Sequence, residues 1–451
     1  MATKSFSLIL RSKISNFKKK ITPDSDKSIS IRSLIFGSIS QGVSHIKNVL
    51  ESDDVHATIK CLQKLNFKVK RVNNGEYKIY GKGLGSAFCK KGAVLNFQNS
   101  GTAARLICGL VSTTPNIKVR LLGDKSLRKR NMQNLINLLN RFGASFYPKN
   151  KKNFPLTMIS SAIPIGITYE AGISAQLKSA CLIAGLNSHG TTKILEKFKS
   201  RDHSEIMISK NKKVIKIKKN RNKLSAIQIF GKKNLSPFKI KVSSDPSSAA
   251  FFTALTLLKN NSILKIKDVG LNPRRIGFYK LLMRSGAKIK FLNKKNVNQE
   301  LVGDIFVKSS SLKPMKSNVK EFSTMVDEFP ILFVLAALTP GVSVFKGIGD
   351  LANKESNRIL EMKKILEKLG VKCKYKKDHF SINGAKFLVP KNRKINVPGL
   401  NDHRICMSAA ILSLVTGIPA LIKNFETVRT SSPSFLKLIK YLGGNYEIKK
   451  N

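Results

Sequence analysis

The chain has 451 residues, 42% hydrophobic and 24% charged, which is enough apolar material for two full cores. Its formal net charge is +56, with 82 Lys and Arg against 26 Asp and Glu. Such a balance raises nucleic acid or an acidic membrane as partners. There is no Trp and there are only 8 Tyr, and no aromatic base-stacking motif is present, so no nucleic-acid partner is expected. No apolar run reaches the roughly 18 residues of a membrane span, so no membrane partner is expected either.

Only 17 of the basic residues are Arg. The remainder are Lys spread over segments that read as exposed, as at Lys149, Lys151, Lys152, Lys294 and Lys295. Asn and Ile are also plentiful, so a coding bias that coats the surface with lysine is the plain reading. The sparse Arg are the informative ones. Arg32, Arg105, Arg130, Arg201, Arg358 and Arg404 fall in or near helix starts or the loops after them, where a guanidinium fork suits phosphate or carboxylate. The six Cys (61, 89, 108, 181, 373, 406) form no Cys-x-x-Cys pair, and several sit in apolar runs. They read as buried free thiols of a reducing compartment, hence a cytoplasmic protein.

Taken in order, residues 1–20 are basic with no acid before Asp24. A targeting segment is one reading; the preferred one makes residues 7–10 an edge strand, because the first helix start comes only at Asp26. There Lys27, Ser28 and Arg32 lie within one helical turn and a half, either as a capped end with solvated bases or as an anion grip. Residues 51–54 then cap an exposed helix running to Leu65. Next comes Asn99-Ser100-Gly101-Thr102-Ala103-Ala104-Arg105, opening the apolar run 106–111. A helix this apolar is buried. Its free N–H groups and positive dipole end favour an anion by about 0.3–2 kcal/mol. Residues 126–131 follow a strand as a basic turn before a helix over 132–142, and 148–167 read as strands with loops.

The third such start is Ser174-Ala175-Gln176, followed after a strand by Arg201-Asp202-His203-Ser204-Glu205. One His does not make a metal site, and no metal is expected. Asp245-Pro246-Ser247, Asp327-Glu328 and Asp402-His403-Arg404 repeat the grammar. The starts fall at 26, 100, 174, 245, 327 and 402. A second marker keeps step: a helix ending at Asn66, Gly143, Gly286, Gly370 and Gly443, with its weakest copy near Asn211. After the strand 342–345, Lys354 and Arg358 stand four apart, predicting a shared helical face, with Glu355 beside them. Thr430, Ser431 and Ser432 read as the cap of the last helix. Six units of similar length predict two domains of three: 22–242, and 1–21 with 243–451. If units within a domain are related by rotation, their buried helices run parallel and six positive ends converge on one cleft.

These stretches, with Asn272-Pro273-Arg274-Arg275, occur in the order found in the enolpyruvyl transferases. The whole chain resembles the 5-enolpyruvylshikimate-3-phosphate synthases (3-phosphoshikimate 1-carboxyvinyltransferases) of that family, in the bacterial form often called class II. The resemblance implies an inside-out α/β barrel, two domains each of three βαβαββ units around buried parallel helices, with the active site in the cleft between them. It implies a monomer without cofactor. The 5-hydroxyl of shikimate 3-phosphate attacks phosphoenolpyruvate, and a tetrahedral intermediate then loses phosphate.

By the same resemblance, Lys27, Ser28, Arg32, Ser174, Gln176, Arg201, Asp327 and Lys354 bind shikimate 3-phosphate. Lys27, Gly101, Arg130, Gln176, Arg358 and Arg404 bind phosphoenolpyruvate. Asp327, Glu355 and Lys27 are the catalytic set, with the methylene proton assigned to Glu355 or Lys354. Three departures stand out: Asp24-Ser25 before Asp26 where Pro-Gly is common, Asn357 where Asp is usual, and Thr430-Ser431 where other subgroups place a lysine. Two alternatives remain. One is an enolpyruvyl transferase for a UDP-sugar, with Cys89 as its loop thiol; the other is a basic nucleic-acid-binding protein.

Overall fold

The structure is a computed structural model that describes residues 5–219, 225–386, 388 and 394–450. The opening of the basic N-terminal segment, residues 1–4, lies outside the described residues.

Fourteen α-helices are present among the described residues: α1 (Lys27–Ile39), α2 (Asp53–Lys64), α3 (Gly101–Ser112), α4 (Lys125–Lys129), α5 (Gln133–Asn140), α6 (Ala175–Leu186), α7 (His203–Ser209), α8 (Pro246–Leu258), α9 (Gly277–Arg284), α10 (Val319–Phe322), α11 (Phe329–Ala337), α12 (Arg358–Lys368), α13 (His403–Thr416) and α14 (Phe435–Leu442). The six expected starts head α1, α3, α6, α8, α11 and α13. Five are closed by a side chain that accepts a backbone N–H: Asp26 from Ile29 at 2.8 Å, Ser100 from Ala103 at 3.2 Å, Ser174 from Leu177 at 3.4 Å, Asp245 from Ser247 at 2.7 Å and Asp402 from Arg404 at 3.0 Å. Each such cap is worth about 1 kcal/mol. The exception is α11, entered through Glu328 without a side-chain cap but with Pro330 in its first turn, where a missing N–H costs nothing. All nine residues of α11 are buried.

The second marker has an equally local cause. The helices α2, α5, α9, α12 and α14 stop where Asn66, Gly143, Gly286, Gly370 and Gly443 take positive φ. The following N–H then reaches back to a carbonyl five residues earlier, as from Ala144 to Leu139 and from Val371 to Leu366.

The strands form six four-stranded sheets, each with one parallel pair and two antiparallel pairs. The repeat is therefore βαβαββ. In four repeats the strand before the buried helix pairs in parallel with the one after it; at α1 and α8 the partners are exchanged, Lys18–Ile21 pairing with Ile263–Gly270 and Lys239–Lys241 with Gln41–Lys47, and two antiparallel pairings complete each sheet. Two compact units contain these repeats: Ser25–Val242, and Met1–Asp24 together with Ser243–Asn451.

In the first unit the direction of two buried helices is fixed at both ends. Gln176 in the first turn of α6 donates to Thr102 in the first turn of α3 at 3.0 Å. Asn187 just past α6 donates to the carbonyl of Thr113 just past α3 at 2.6 Å. The helices run side by side in the same sense. Gly109 allows this approach, since a Cβ there would stand 2.6 Å from the Ala180 carbonyl oxygen. In the second unit, Ser247 of α8 hydrogen-bonds Glu328 at the head of α11, and Arg404 of α13 lies 5.8 Å over the Phe251 ring of α8. Three helix starts thus meet at one end.

Four local expectations are corrected. The strand Phe6–Leu10 is not an edge: it pairs antiparallel with Ala420–Ile422 on one side and Glu447–Lys450 on the other, closing the sixth repeat across the full length of the chain. The basic turn at 126–131 is mostly helix α4, because Asp124 caps it by accepting from the Leu127 N–H at 2.8 Å. Lys354 and Arg358 do not share a helix. Lys354 is extended, and α12 begins only at Arg358 because the Asn357 side chain caps it through the Leu360 N–H. The last helix is capped differently as well. Its N-cap is Ser434, and the carboxylate of Asp24 supplies the acceptor for the Ser434 N–H.

Candidate active site

The unit Ser25–Val242 carries the expected phosphate-binding residues on the starts of α1, α3 and α6. Lys27, the first residue of α1, is largely buried and places its Nζ 3.0 Å from Asp54 Oδ2 in α2. Ser28 offers its carbonyl to Arg32 Nη1 at 3.1 Å. Arg32 is buried, and its fork also reaches Ser204 Oγ through Nε and Ser179 Oγ through Nη2, both at 3.0 Å. One guanidinium therefore ties α1 to α6 and α7. Gly101 opens α3 directly beneath two guanidinium groups: a Cβ there would stand 2.5 Å from Arg130 Nη1 and 2.9 Å from Arg105 Nη1. Ser174 and Gln176 share the start of α6, and the Gln176–Thr102 bond brings Gly101, Thr102, Ser174 and Gln176 to one pair of helix ends. Arg201 lies in the loop just before α7.

The other unit carries the acid–base candidates around one buried cation. Arg358, at the head of α12, places Nη2 2.6 Å from Glu355 Oε2, Nε 3.0 Å from Asp402 Oδ2 and Nη1 3.5 Å from Asp327 Oδ1. Burial would lower the affinity of this guanidinium for its proton, but the three carboxylates outweigh it and push the pKa up. Ser356 donates to the same Asp402 oxygen at 2.9 Å. Asp402 is thus a cap, a counter-ion and an acceptor at once.

Lys354 turns aside from this cluster and pairs with Asp350. Arg404 contrasts with Arg358. It is buried, 4% exposed, yet its Nε and Nη1 find no hydrogen-bond partner among the described residues. Arg358 Nη1 likewise makes no hydrogen bond beyond its long ion pair to Asp327. Buried N–H donors on a cation are costly when unmet, at about 1–3 kcal/mol or more each.

Sequence reasoning missed the roles of Asp54 and Asp402. The Asp402-His403-Arg404 motif was visible, but what its acid would pair with depends on a contact 44 residues away. It also missed the ion cluster of Lys178, Glu196 and Glu205, for which no local pattern gives a signal. Cys89 is half-buried, and burial raises its thiol pKa. That is the opposite of what a loop thiol serving as nucleophile needs. Among the described residues no group of three or more His, Cys, Asp or Glu is arranged to hold a metal, and no helix is long and apolar enough to cross a membrane.

The fold has solved counterparts. The structure of the enolpyruvyl transferase NikO from Streptomyces tendae superposes with a TM-score of 0.76 at 14% identity over 99% of this chain and 100% of that one, a likeness of fold. The architecture is that of the two-domain α/β enolpyruvyl transferases. The relationship narrows with an EPSP synthase structure from Acinetobacter baumannii, at TM-score 0.83 and 32% identity over 99% and 100% of the two chains. The sequence model for EPSP synthase (3-phosphoshikimate 1-carboxyvinyltransferase) matches residues 12–439. The proteins named 3-phosphoshikimate 1-carboxyvinyltransferase from Paramagnetospirillum magneticum and Petrotoga mobilis are 36% and 38% identical, covering 93% and 94% of this chain and 93% and 97% of their own. The chain belongs to the EPSP synthase family of transferases.

Proposed function

We propose that this chain transfers the enolpyruvyl group of phosphoenolpyruvate to the 5-hydroxyl of shikimate 3-phosphate and releases phosphate, acting in the cytoplasm as a single chain without a cofactor. The observation that carries the reading is the pair of buried arginines with unmet donors, Arg404 and Arg358. Their N–H groups suit the carboxylate and phosphate of phosphoenolpyruvate, and Gly101, Arg130, Lys27 and Gln176 would complete its binding.

Lys27, Ser28, Arg32, Ser174, Gln176 and Arg201 would hold the sugar phosphate and its carboxylate, with Lys354 at the ring. Arg32 is already engaged by Ser179 and Ser204, which suits a fork held ready rather than one that must be ordered on binding. Asp327 takes the proton of the attacking hydroxyl as its oxygen bonds to the enol carbon. Glu355 delivers a proton to the methylene carbon, giving a tetrahedral adduct with a methyl group. Loss of phosphate, which carries off the proton held by Asp327, with return of a methyl proton to Glu355, restores the double bond and both carboxylates. Asp327 and Glu355 flank one guanidinium at 3.5 and 2.6 Å, and so sit in different fields, as separate acid and base roles require.

The test is phosphate release from phosphoenolpyruvate with and without shikimate 3-phosphate. Release that depends on the second substrate supports the reading; release indifferent to it, or activity with a UDP-sugar acceptor instead, overturns it.

A further inference from the structure

Beneath the expected sugar-phosphate residues lies an ion cluster that the reaction does not use. Lys178, one turn into α6 from Ser174, is fully buried. Its Nζ stands 2.7 Å from Glu196 Oε1, at the end of the strand Thr191–Glu196, and 2.6 Å from Glu205 Oε1 in the first turn of α7. Both carboxylates are buried as well. Glu196 Oε1 also accepts the Ser200 N–H at 2.8 Å and the Ser200 hydroxyl at 3.1 Å. The loop carrying Arg201 is therefore stapled at its start by Glu196, at Ser200 by the same oxygen, and at its far end by Glu205. All three staples meet at the side chain that rises from the turn bearing Ser174 and Gln176.

The cluster is costly for a purely stabilising device. Two carboxylates face one ammonium, and Glu205 Oε2 receives no hydrogen bond among the described residues. A buried ion pair is poor value for stability compared with apolar side chains of similar volume, and its best-attested use is to fix one geometry among several. The geometry fixed here is the placement of the Arg201 loop against the start of α6. A second polar joint lies alongside: Ser204 Oγ donates to Ser179 Oγ at 2.8 Å, one residue before Glu205 and one after Lys178 along their helices.

We propose that Lys178 is a positioning residue, whose buried ammonium, clasped by Glu196 and Glu205, sets the distance between Ser174 and Gln176 on one side and Arg201 on the other, and so the fit of the phosphate group of the sugar substrate. This rests on reading those three residues as the sugar-phosphate subsite. Lys178 does not touch substrate, and loosening the clasp weakens shikimate 3-phosphate binding while leaving phosphoenolpyruvate binding and the chemical steps nearly intact.

Steady-state kinetics of two variants test this. Glu205→Gln keeps one of the two carboxylates for the ammonium. The triple variant Lys178→Met, Glu196→Gln, Glu205→Gln removes every charge and avoids stranding a lone buried ion. The expected result is a KM for shikimate 3-phosphate raised about fivefold in the first and about thirtyfold in the second, with kcat and the KM for phosphoenolpyruvate moving less than about twofold. Arg201→Ala is measured alongside. If it raises the KM for shikimate 3-phosphate while a folded cluster variant does not, positioning by Lys178 is overturned and the subsite stands. If Arg201→Ala also leaves that KM unchanged, the subsite reading fails first. A fall in apparent kcat from fewer folded molecules, with both KM values unchanged, would make the cluster structural only and overturn the proposal. Should the triple variant not fold, Glu205→Gln decides.

Discussion

The two units treat their arginines differently. In Ser25–Val242 the buried fork of Arg32 donates to two serine hydroxyls and a carbonyl, which orient it. In the other unit Arg358 is held by three carboxylates, while Arg404, two residues past the shared acid Asp402, keeps donors unmet. Hydroxyl and carbonyl partners orient a guanidinium without adding a charge of their own. One surrounded by acids is there as much to organise those acids as to bind. The contrast separates a gripping role from an organising one in side chains that look alike in the sequence.

The sharpest way to break this comparison is to remove each arginine of the second unit in turn. Arg358→Met strands the fully buried Asp402 and the largely buried Glu355, and the expected cost is about 3–5 kcal/mol of unfolding free energy, with activity lost. Arg404→Met strands no acid. Its expected stability change is within about 1 kcal/mol, while the KM for phosphoenolpyruvate rises about a hundredfold. Urea titrations and steady-state kinetics read both; equal stability losses in the two variants would erase the distinction. Next in size is Asp327→Asn. It should lower kcat by about 10²–10⁴ as the base is lost, with a stability change below about 1 kcal/mol. The carboxylate is 26% exposed and its ion pair is long, so little folding energy rests on it.

A smaller effect sharpens the other half. Gly101→Ala puts a methyl 2.5 Å from Arg130 Nη1 and 2.9 Å from Arg105 Nη1, so the far ends of two flexible side chains have to move. The helix survives, because Ala is a better helix former than Gly. The expected outcome is a KM for phosphoenolpyruvate raised about tenfold at unchanged melting temperature. An unchanged KM would separate Arg130 from the binding of that substrate.

What was readable follows from what is local. Helix caps and glycine stops are written within four or five residues, so the six buried helices, five of their caps and the sixfold repeat could be read directly. Contacts between segments far apart could not. Nothing near residues 7–10 indicates that Glu447–Lys450 pairs with it, and an edge strand was the natural inference. Lys354 and Arg358 have helical spacing, but Asn357 caps between them, and a capping side chain overrides spacing. Among the site residues, type and place in the repeat were legible from the motifs. That three carboxylates share Arg358, and that Lys178 holds two more below α6, depends on the packing of helices that the sequence leaves unordered.

The smallest predicted effect lies where the chain passes from one unit to the other. Asp24 ends the first segment of one unit, and Asp26, two residues on, caps α1 of the other. Asp24 accepts from Ser432 Oγ at 2.9 Å and from the Ser434 N–H and Oγ at 3.1 and 2.6 Å. Burial raises its pKa, the Ser434 and Ser432 hydrogen bonds lower it in part, and nearby Asp245 raises it further, so the net shift is upward. A raised folded-state pKa means that the folded chain holds the proton more tightly than the unfolded one. The resulting stability is complete below the ordinary aspartate range, about 3.9, and is lost as pH rises through the folded value.

Asp24→Asn removes that loss and keeps an oxygen to accept the Ser434 N–H, so the variant gains on the wild type as pH rises, by an amount within about 1 kcal/mol. Urea unfolding at pH 4 and pH 7 measures the gain. A variant that falls behind as pH rises would mean that the ionised carboxylate is the form the fold prefers, and that Asp24 works as Asp26 does, as a charged acceptor at the head of a helix.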